Sequence, residues 1–81
     1  MKRLELLLLG IMKQISAQSF ASAVSIYELK KYANLGQSIT TLNRSIRFLL
    51  SQECVEQGVK DSKSYTYYIT EKGYQILEEV K

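Results

Sequence analysis

Histidine and proline are missing from this 81-residue sequence, and cysteine and aspartate occur once each, as Cys54 and Asp61. Each shortage removes a class of function. Without imidazole there is no histidine-based catalytic dyad and no histidine ligand for zinc. A lone cysteine forms no intramolecular disulfide and builds no multi-cysteine metal site, so a reducing, cytoplasmic setting is the simplest. The lack of proline fits helices and tight turns without Pro-rich linkers. No nucleophile–base pair and no phosphate-cradling glycine loop is present, so the expectation is a protein that is not an enzyme and uses no cofactor and no metal. Long apolar runs are also lacking. Leu4 to Met12 is apolar save for Glu5 and is interrupted by Gly10, well short of the roughly 20 residues a membrane span needs. The basic start, Lys2 and Arg3, mimics a leader peptide. Glu5 and the helical pattern that continues through Lys13–Ala17 read instead as a structural helix.

What is present is ordinary for a folded chain. Hydrophobic residues make up 46% and charged residues 23%, against the composition of disorder. The length leaves room for one core, read as a single domain over residues 1–81. The net charge of +3 is unevenly spread. Residues 1–50 carry Lys2, Arg3, Lys13, Lys30, Lys31, Arg44 and Arg47 against only Glu5 and Glu28, whereas residues 51–81 carry an excess of carboxylates. A basic half points weakly to a polyanionic partner.

Apolar periodicity gives four helices and a hairpin, an α+β chain. In the first helix, about residues 2–15, Leu4, Leu8, Ile11 and Ile15 form one stripe, with Leu7 and Met12 on its flanks and Leu6 and Leu9 on the other side. Residues 16–24 are rich in serine and alanine, read as a loop with Phe20 as its large anchor and a short strand at Ala23-Val24. Ser25-Ile26-Tyr27-Glu28 has the form of a capping box that opens a second helix with Ile26 and Leu29 inward and Lys30 and Lys31 outward. This helix ends near Asn34-Leu35-Gly36, where glycine permits a left-handed cap. A third helix starts at Gln37 or Ser38 and runs to about Gln52, with Ile39, Leu42, Ile46 and Leu49 as its core stripe. Cys54–Val59 and Tyr65–Ile69 read as two strands of a hairpin around a polar tip. Thr70 then caps a last helix, with Ile76, Leu77 and Val80 on its buried side.

A helix, a glycine-containing turn, a second helix with polar and arginine side chains off its core stripe, and then a hairpin form an arrangement that reads DNA. The major groove, about 12 Å wide, admits one α-helix. The third helix offers it Gln37, Ser38, Thr40, Thr41, Arg44 and Arg47. Short hydroxyls allow close approach, and arginine takes guanine O6 and N7 together or clamps a phosphate. No acidic residue lies between Leu29 and Gln52 to repel the polyanion. Lys60 and Lys63 at the hairpin tip reach phosphates or the adjacent minor groove. The expected partner is double-stranded DNA, with no membrane and no small-molecule ligand. The tyrosines Tyr65, Tyr67 and Tyr68 are open to base stacking, but packing of at least one on the helices is the simpler role. Cys54 reads as a small core residue.

Three stretches resemble the winged helix-turn-helix regulators of bacteria, archaea and their viruses and plasmids, with the MarR-like and PadR-like groups nearest. Ser38–Leu50 looks like their recognition helix, and Ser64–Tyr68 like the returning strand of their wing. Tyr67-Tyr-Ile-Thr-Glu-Lys-Gly73 is similar to their tyrosine, aliphatic, threonine, two variable residues, glycine signature. The resemblance covers residues 25–77 and implies a three-helix core with a β-hairpin wing and a C-terminal helix, acting in transcription regulation. The chain departs from the pattern at Glu53-Cys54, where the family often has glycine, and in lacking the usual arginine of the wing. A homodimer is expected, held by the first and last helices with Leu6 and Leu9 at the contact, which would set two recognition helices about one DNA turn, roughly 34 Å, apart; the alternative is that the last helix alone covers Leu6 and Leu9 within one subunit. Two roles stay open. One is a sequence-specific regulator; the other is a winged-helix module of a replication, partition or chromatin complex that binds DNA nonspecifically or binds protein partners.

Overall fold

Leucines at helical spacing give this chain a first helix with more apolar surface than one neighbour can cover, and the fold answers by packing four elements on it. The computed structural model describes residues 1–33, 36–60 and 64–79. The elements run α1 (Arg3–Gln14), β1 (Val24–Ser25), α2 (Ile26–Ala33), α3 (Ile39–Ser51), β2 (Val55–Gln57), β3 (Thr66–Ile69) and α4 (Glu71–Glu79). Helix α1 lies against α2, α3, α4 and β3. Its buried arc holds Leu8, Leu9 and Met12, all fully buried, with Leu4, Ile11 and Ile15 packed at its edge. Glu5 belongs to the same buried arc; its carboxylate is satisfied by the Lys2 backbone N–H at 2.9 Å.

The expected division of leucines is corrected here. Leu9 does not face outward but lies in the chain's own core, and Leu6 is half-buried. The reason is α4, which runs along α1. Lys13, one turn beyond Leu9 on the same side, pairs with Glu78 at 3.9 Å and sits over the Tyr74 ring at 5.9 Å. The leucine left exposed is Leu7. Phe20 is likewise no anchor: its side chain is 58% exposed, and only its carbonyl is used, accepting from Val59 N–H at 3.1 Å.

The three strands form an antiparallel sheet in the order β1-β3-β2. Val24 and Ser25 pair with Tyr67 and Thr66, and Val55, Glu56 and Gln57 with Ile69, Tyr68 and Tyr67. Strand alternation sends Tyr67 and Ile69 to one face and Thr66 and Tyr68 to the other. Tyr67 and Ile69 join Leu29, Leu42, Ile46, Leu49, Cys54 and Val55 in the core. On the opposite face the Tyr68 hydroxyl donates to Glu56 across the pair at 2.7 Å. Thr66 donates its hydroxyl to the Val59 carbonyl. A side chain at Gly58 would collide with Ala23 and the Phe20 carbonyl, so glycine is needed for the loop to close on the strand.

Helices α1 and α3 end in the same way without glycine. Ser16 and Glu53 both take the left-handed conformation at φ 62°. Ser16 N–H bonds Lys13 O and Ala17 N–H bonds Met12 O; Glu53 N–H bonds Leu50 O and Cys54 N–H bonds Leu49 O. Each is a Schellman closure, and each carries the accompanying apolar contact pair, Met12 with Ala17 and Leu49 with Cys54, all four fully buried. The second closure meets α4. Thr70 N–H bonds Cys54 O at 3.0 Å, its hydroxyl donates to Glu53 O at 2.7 Å, and the Thr70 hydroxyl oxygen accepts from Gly73 N–H at 3.2 Å, the cap expected from the sequence. A Cβ on Gly73 would stand 2.5 Å from Cys54 O, which is why the signature needs glycine there. The expected burial of Val80 concerns a residue outside those described.

Two substitutions at this corner are expected to move stability in opposite directions in urea unfolding. Thr70→Ala should lower it by about 1 kcal/mol, because the cap is removed. Glu53→Gly should raise it by about 1 kcal/mol, because a left-handed L-residue is strained more than glycine's extra chain entropy costs. Equal midpoints for both variants and the parent would refute these roles for Thr70 and Glu53.

Candidate nucleic-acid interface

The site is built on two caps and a turn. Glu28 N–H bonds the Ser25 hydroxyl at 3.2 Å while the Glu28 carboxylate accepts Ser25 N–H at 3.3 Å, the reciprocal box that starts α2. Gly36 takes φ 68° between the helices; the neighbouring Asn34 and Leu35, expected in the same turn, lie outside the described residues. Ser38 is the N-cap of α3, its hydroxyl accepting Thr41 N–H at 3.1 Å and donating to the Thr41 hydroxyl at 3.0 Å. Ser38 and Thr41 are therefore engaged in starting the helix. Gln37 and Ser38 are exposed at its mouth, and Thr41 is half-buried.

Burying Leu42, Ser45, Ile46 and Leu49 against the core turns a ridge of Thr40, Arg44, Arg47 and Ser51 outward. No acidic side chain pairs with Arg44 or Arg47 among the described residues. The ridge has a flank on each side. Toward α1, Thr41, Arg44, Ser45 and Phe48 face Met1, Leu4 and Glu5 across a cleft. Toward the hairpin, Ile39 and Asn43 share a groove with Tyr27, Tyr65 and Tyr67. Burial raises the Tyr67 phenol above its ordinary value, opposed by a hydrogen bond from Gln57 and the positive charge of Arg47. The hairpin tip contributes Lys60, whose ammonium lies 5.0 Å from the Tyr65 ring centre. Lys63, expected beside it, is outside the described residues.

The structure thus brings Thr40, Arg44 and Arg47 to one outward surface and puts Lys60 at the hairpin beyond it. Sequence reasoning missed Asn43, which lines depressions on both the ridge and the groove. Its signal was its spacing, three residues after Thr40 and four before Arg47. It also missed Tyr27, exposed at the rim of that groove. Tyr67, considered for stacking, is buried, whereas Tyr65 is exposed. Cys54 is fully buried, and burial pushes its thiol up despite nearby Lys72, the state of an inert packing residue. Among the described residues no cluster of His, Cys, Asp or Glu could hold a metal ion, and no helix is long and apolar enough to cross a membrane.

A helix-turn-helix followed by a two-stranded hairpin on a three-stranded sheet, closed by a last helix, defines the winged-helix fold. Two solved structures share it. TubR from Bacillus megaterium pBM400 superposes with a TM-score of 0.85 at 19% identity, over 99% of this chain and 86% of that one. The solution structure of the DNA-binding TubR fragment from Clostridium botulinum gives a TM-score of 0.76 at 26% identity, over 100% of this chain and 98% of that one. The likeness carries the winged-helix fold and not the MarR-like or PadR-like grouping. No protein-family model matches the sequence, and no curated protein matches it.

Proposed function

We propose that this chain is a single winged-helix domain that binds double-stranded DNA sequence-specifically as a homodimer, with α3 in the major groove and the hairpin on the flanking backbone. One observation carries the reading: the ridge of Thr40, Arg44 and Arg47 stands outward from a firmly capped helix, with no carboxylate paired to either arginine among the described residues. Cations left without internal partners are available to phosphates and guanine edges. The similarity to a fragment described as DNA-binding supports the same reading. The function is non-enzymatic.

Two roles follow from such binding. A transcription regulator occupies an operator. A module of a replication, partition or chromatin complex uses the same surface within a larger assembly, and this alternative gains weight because the structural likenesses are to TubR chains rather than to MarR-like or PadR-like regulators. Recovery of bound sites from a random duplex pool, followed by titration at two salt concentrations, separates sequence reading from counterion release. In that titration Arg44→Ala with Arg47→Ala should cost about 1–3 kcal/mol for each arginine that touches a base, or lower the salt slope by about one for each that touches a phosphate. Affinity equal to the parent, with the melting curve intact, would remove α3 as the reader.

The dimer is drawn from the part of α1 that the fold leaves uncovered. Leu9 is unavailable to a partner, so the contact is placed at half-buried Leu6 and exposed Leu7, beside Gly10, where the space around the helix is open. Light scattering at tens of micromolar should give twice the chain mass, and Leu6→Lys with Leu7→Lys should halve it without unfolding. A monomeric parent protein would overturn the dimer.

A further inference from the structure

We infer that Asn43 reads an adenine in the major groove and fixes which A·T pair the protein accepts. The inference rests on α3 being the reading helix and adds a base identity to it. Asn43 is half-buried on the hairpin-facing flank of α3. It lines one depression with Thr40, Arg44 and Arg47 and a second with Tyr27 and Tyr65. Besides the arginines and tyrosines, the polar side chains that share its depressions are the hydroxyls of Thr40 and Ser64, whereas the hydroxyls of Ser25, Ser38 and Thr66 elsewhere in the fold are taken up in hydrogen bonds. Among the described residues the Asn43 amide makes no such bond. A half-buried amide carries one acceptor and two donor hydrogens that the fold leaves open.

The chemistry of that group selects its partner. The major-groove edge of adenine presents the N7 acceptor beside the N6 donor, and a side-chain amide answers both at once. Guanine presents two acceptors and suits the neighbouring arginines instead. Gln37 is the other amide at this end of α3, but it is exposed ahead of the N-cap and no wall holds it. Asn43 is walled, so less side-chain freedom is given up when it binds. Its short stem requires the helix to approach the bases closely. The small side chain of Thr40 allows that approach, and the longer Arg44 and Arg47 reach past it.

The test uses the full chain and the duplex recovered from a random pool. Replacing the contacted A·T pair by G·C should weaken the parent protein about 5- to 150-fold, the range for one bidentate base contact. Replacing that adenine by 7-deazaadenine, which lacks N7, should weaken it as well. Asn43→Ala should bind all three duplexes alike. The inference is overturned if Asn43→Ala, melting like the parent, keeps the parent's discrimination, or if 7-deazaadenine at every adenine of the site leaves the parent unaffected. If Arg44→Ala with Arg47→Ala also binds as the parent does, the reading helix itself is misassigned. If that double variant loses binding while Asn43→Ala keeps its selectivity, the adenine assignment alone fails.

Discussion

The carbonyl groups of Glu53 and Cys54 project from the turn that ends α3, and both are taken up by Thr70, one by its backbone N–H and one by its hydroxyl. The same hydroxyl accepts the N–H of Gly73 and so opens α4. One residue therefore joins the end of α3, the end of the central strand and the start of the closing helix. A buried carbonyl without a partner is costly, which applies to fully buried Cys54, whereas the bond to Glu53 O lies at the surface and Glu53 takes the strained left-handed backbone of the turn. The tyrosine–aliphatic–threonine–glycine signature is the sequence trace of this corner. Tyr67 and Ile69 fill the core, Thr70 bridges, and Gly73 clears space for Cys54 O.

With its C-terminal end fixed there and its N-terminal end capped by Ser38, α3 is held at both ends while its outward ridge makes no internal ion pair among the described residues. This division suits a binding surface. Packing and capping set the orientation, and the charged side chains stay available for a partner. Charge placement sharpens it: α3 itself carries no acidic residue, and Glu5, the carboxylate across the cleft from Arg44, accepts from the Lys2 backbone, while Glu53 and Glu56 follow the helix in the chain. Glu56 is in turn occupied by Tyr68 on the far face of the sheet.

The helices, their caps and the hairpin were legible because each rests on local signals: Ser25 with Glu28, Ser38, Thr70 with Gly73, and the alternation through Tyr67 and Ile69. What escaped was set by distant contacts. Leu9 looks equivalent to Leu6 on a helical wheel, and only the course of α4 past Lys13 separates them. Phe20 is the largest side chain in its loop, yet the fold uses its carbonyl and leaves the ring in water. Glu53 sits where glycine is the usual signal, and no local pattern announces a left-handed glutamate. Asn43 stands among hydroxyls and arginines that carry the stronger local signal. Its groove is completed by tyrosines on α2 and beside β3, elements that lie far from it in the chain.

The pairing of β1 with β3 has a kinetic meaning. Val24 meets Tyr67 across about forty intervening residues, and those residues hold both α2 and α3. The sheet is thus a clasp that closes behind the helix-turn-helix. Closing a loop of that size is entropically costly before any contact rewards it, so the two helices can form early but gain their final mutual orientation only when the clasp shuts. Opening works in reverse: the helix-turn-helix lies inside the loop that the β1–β3 pairing closes, so its loosening is coupled to the parting of those strands.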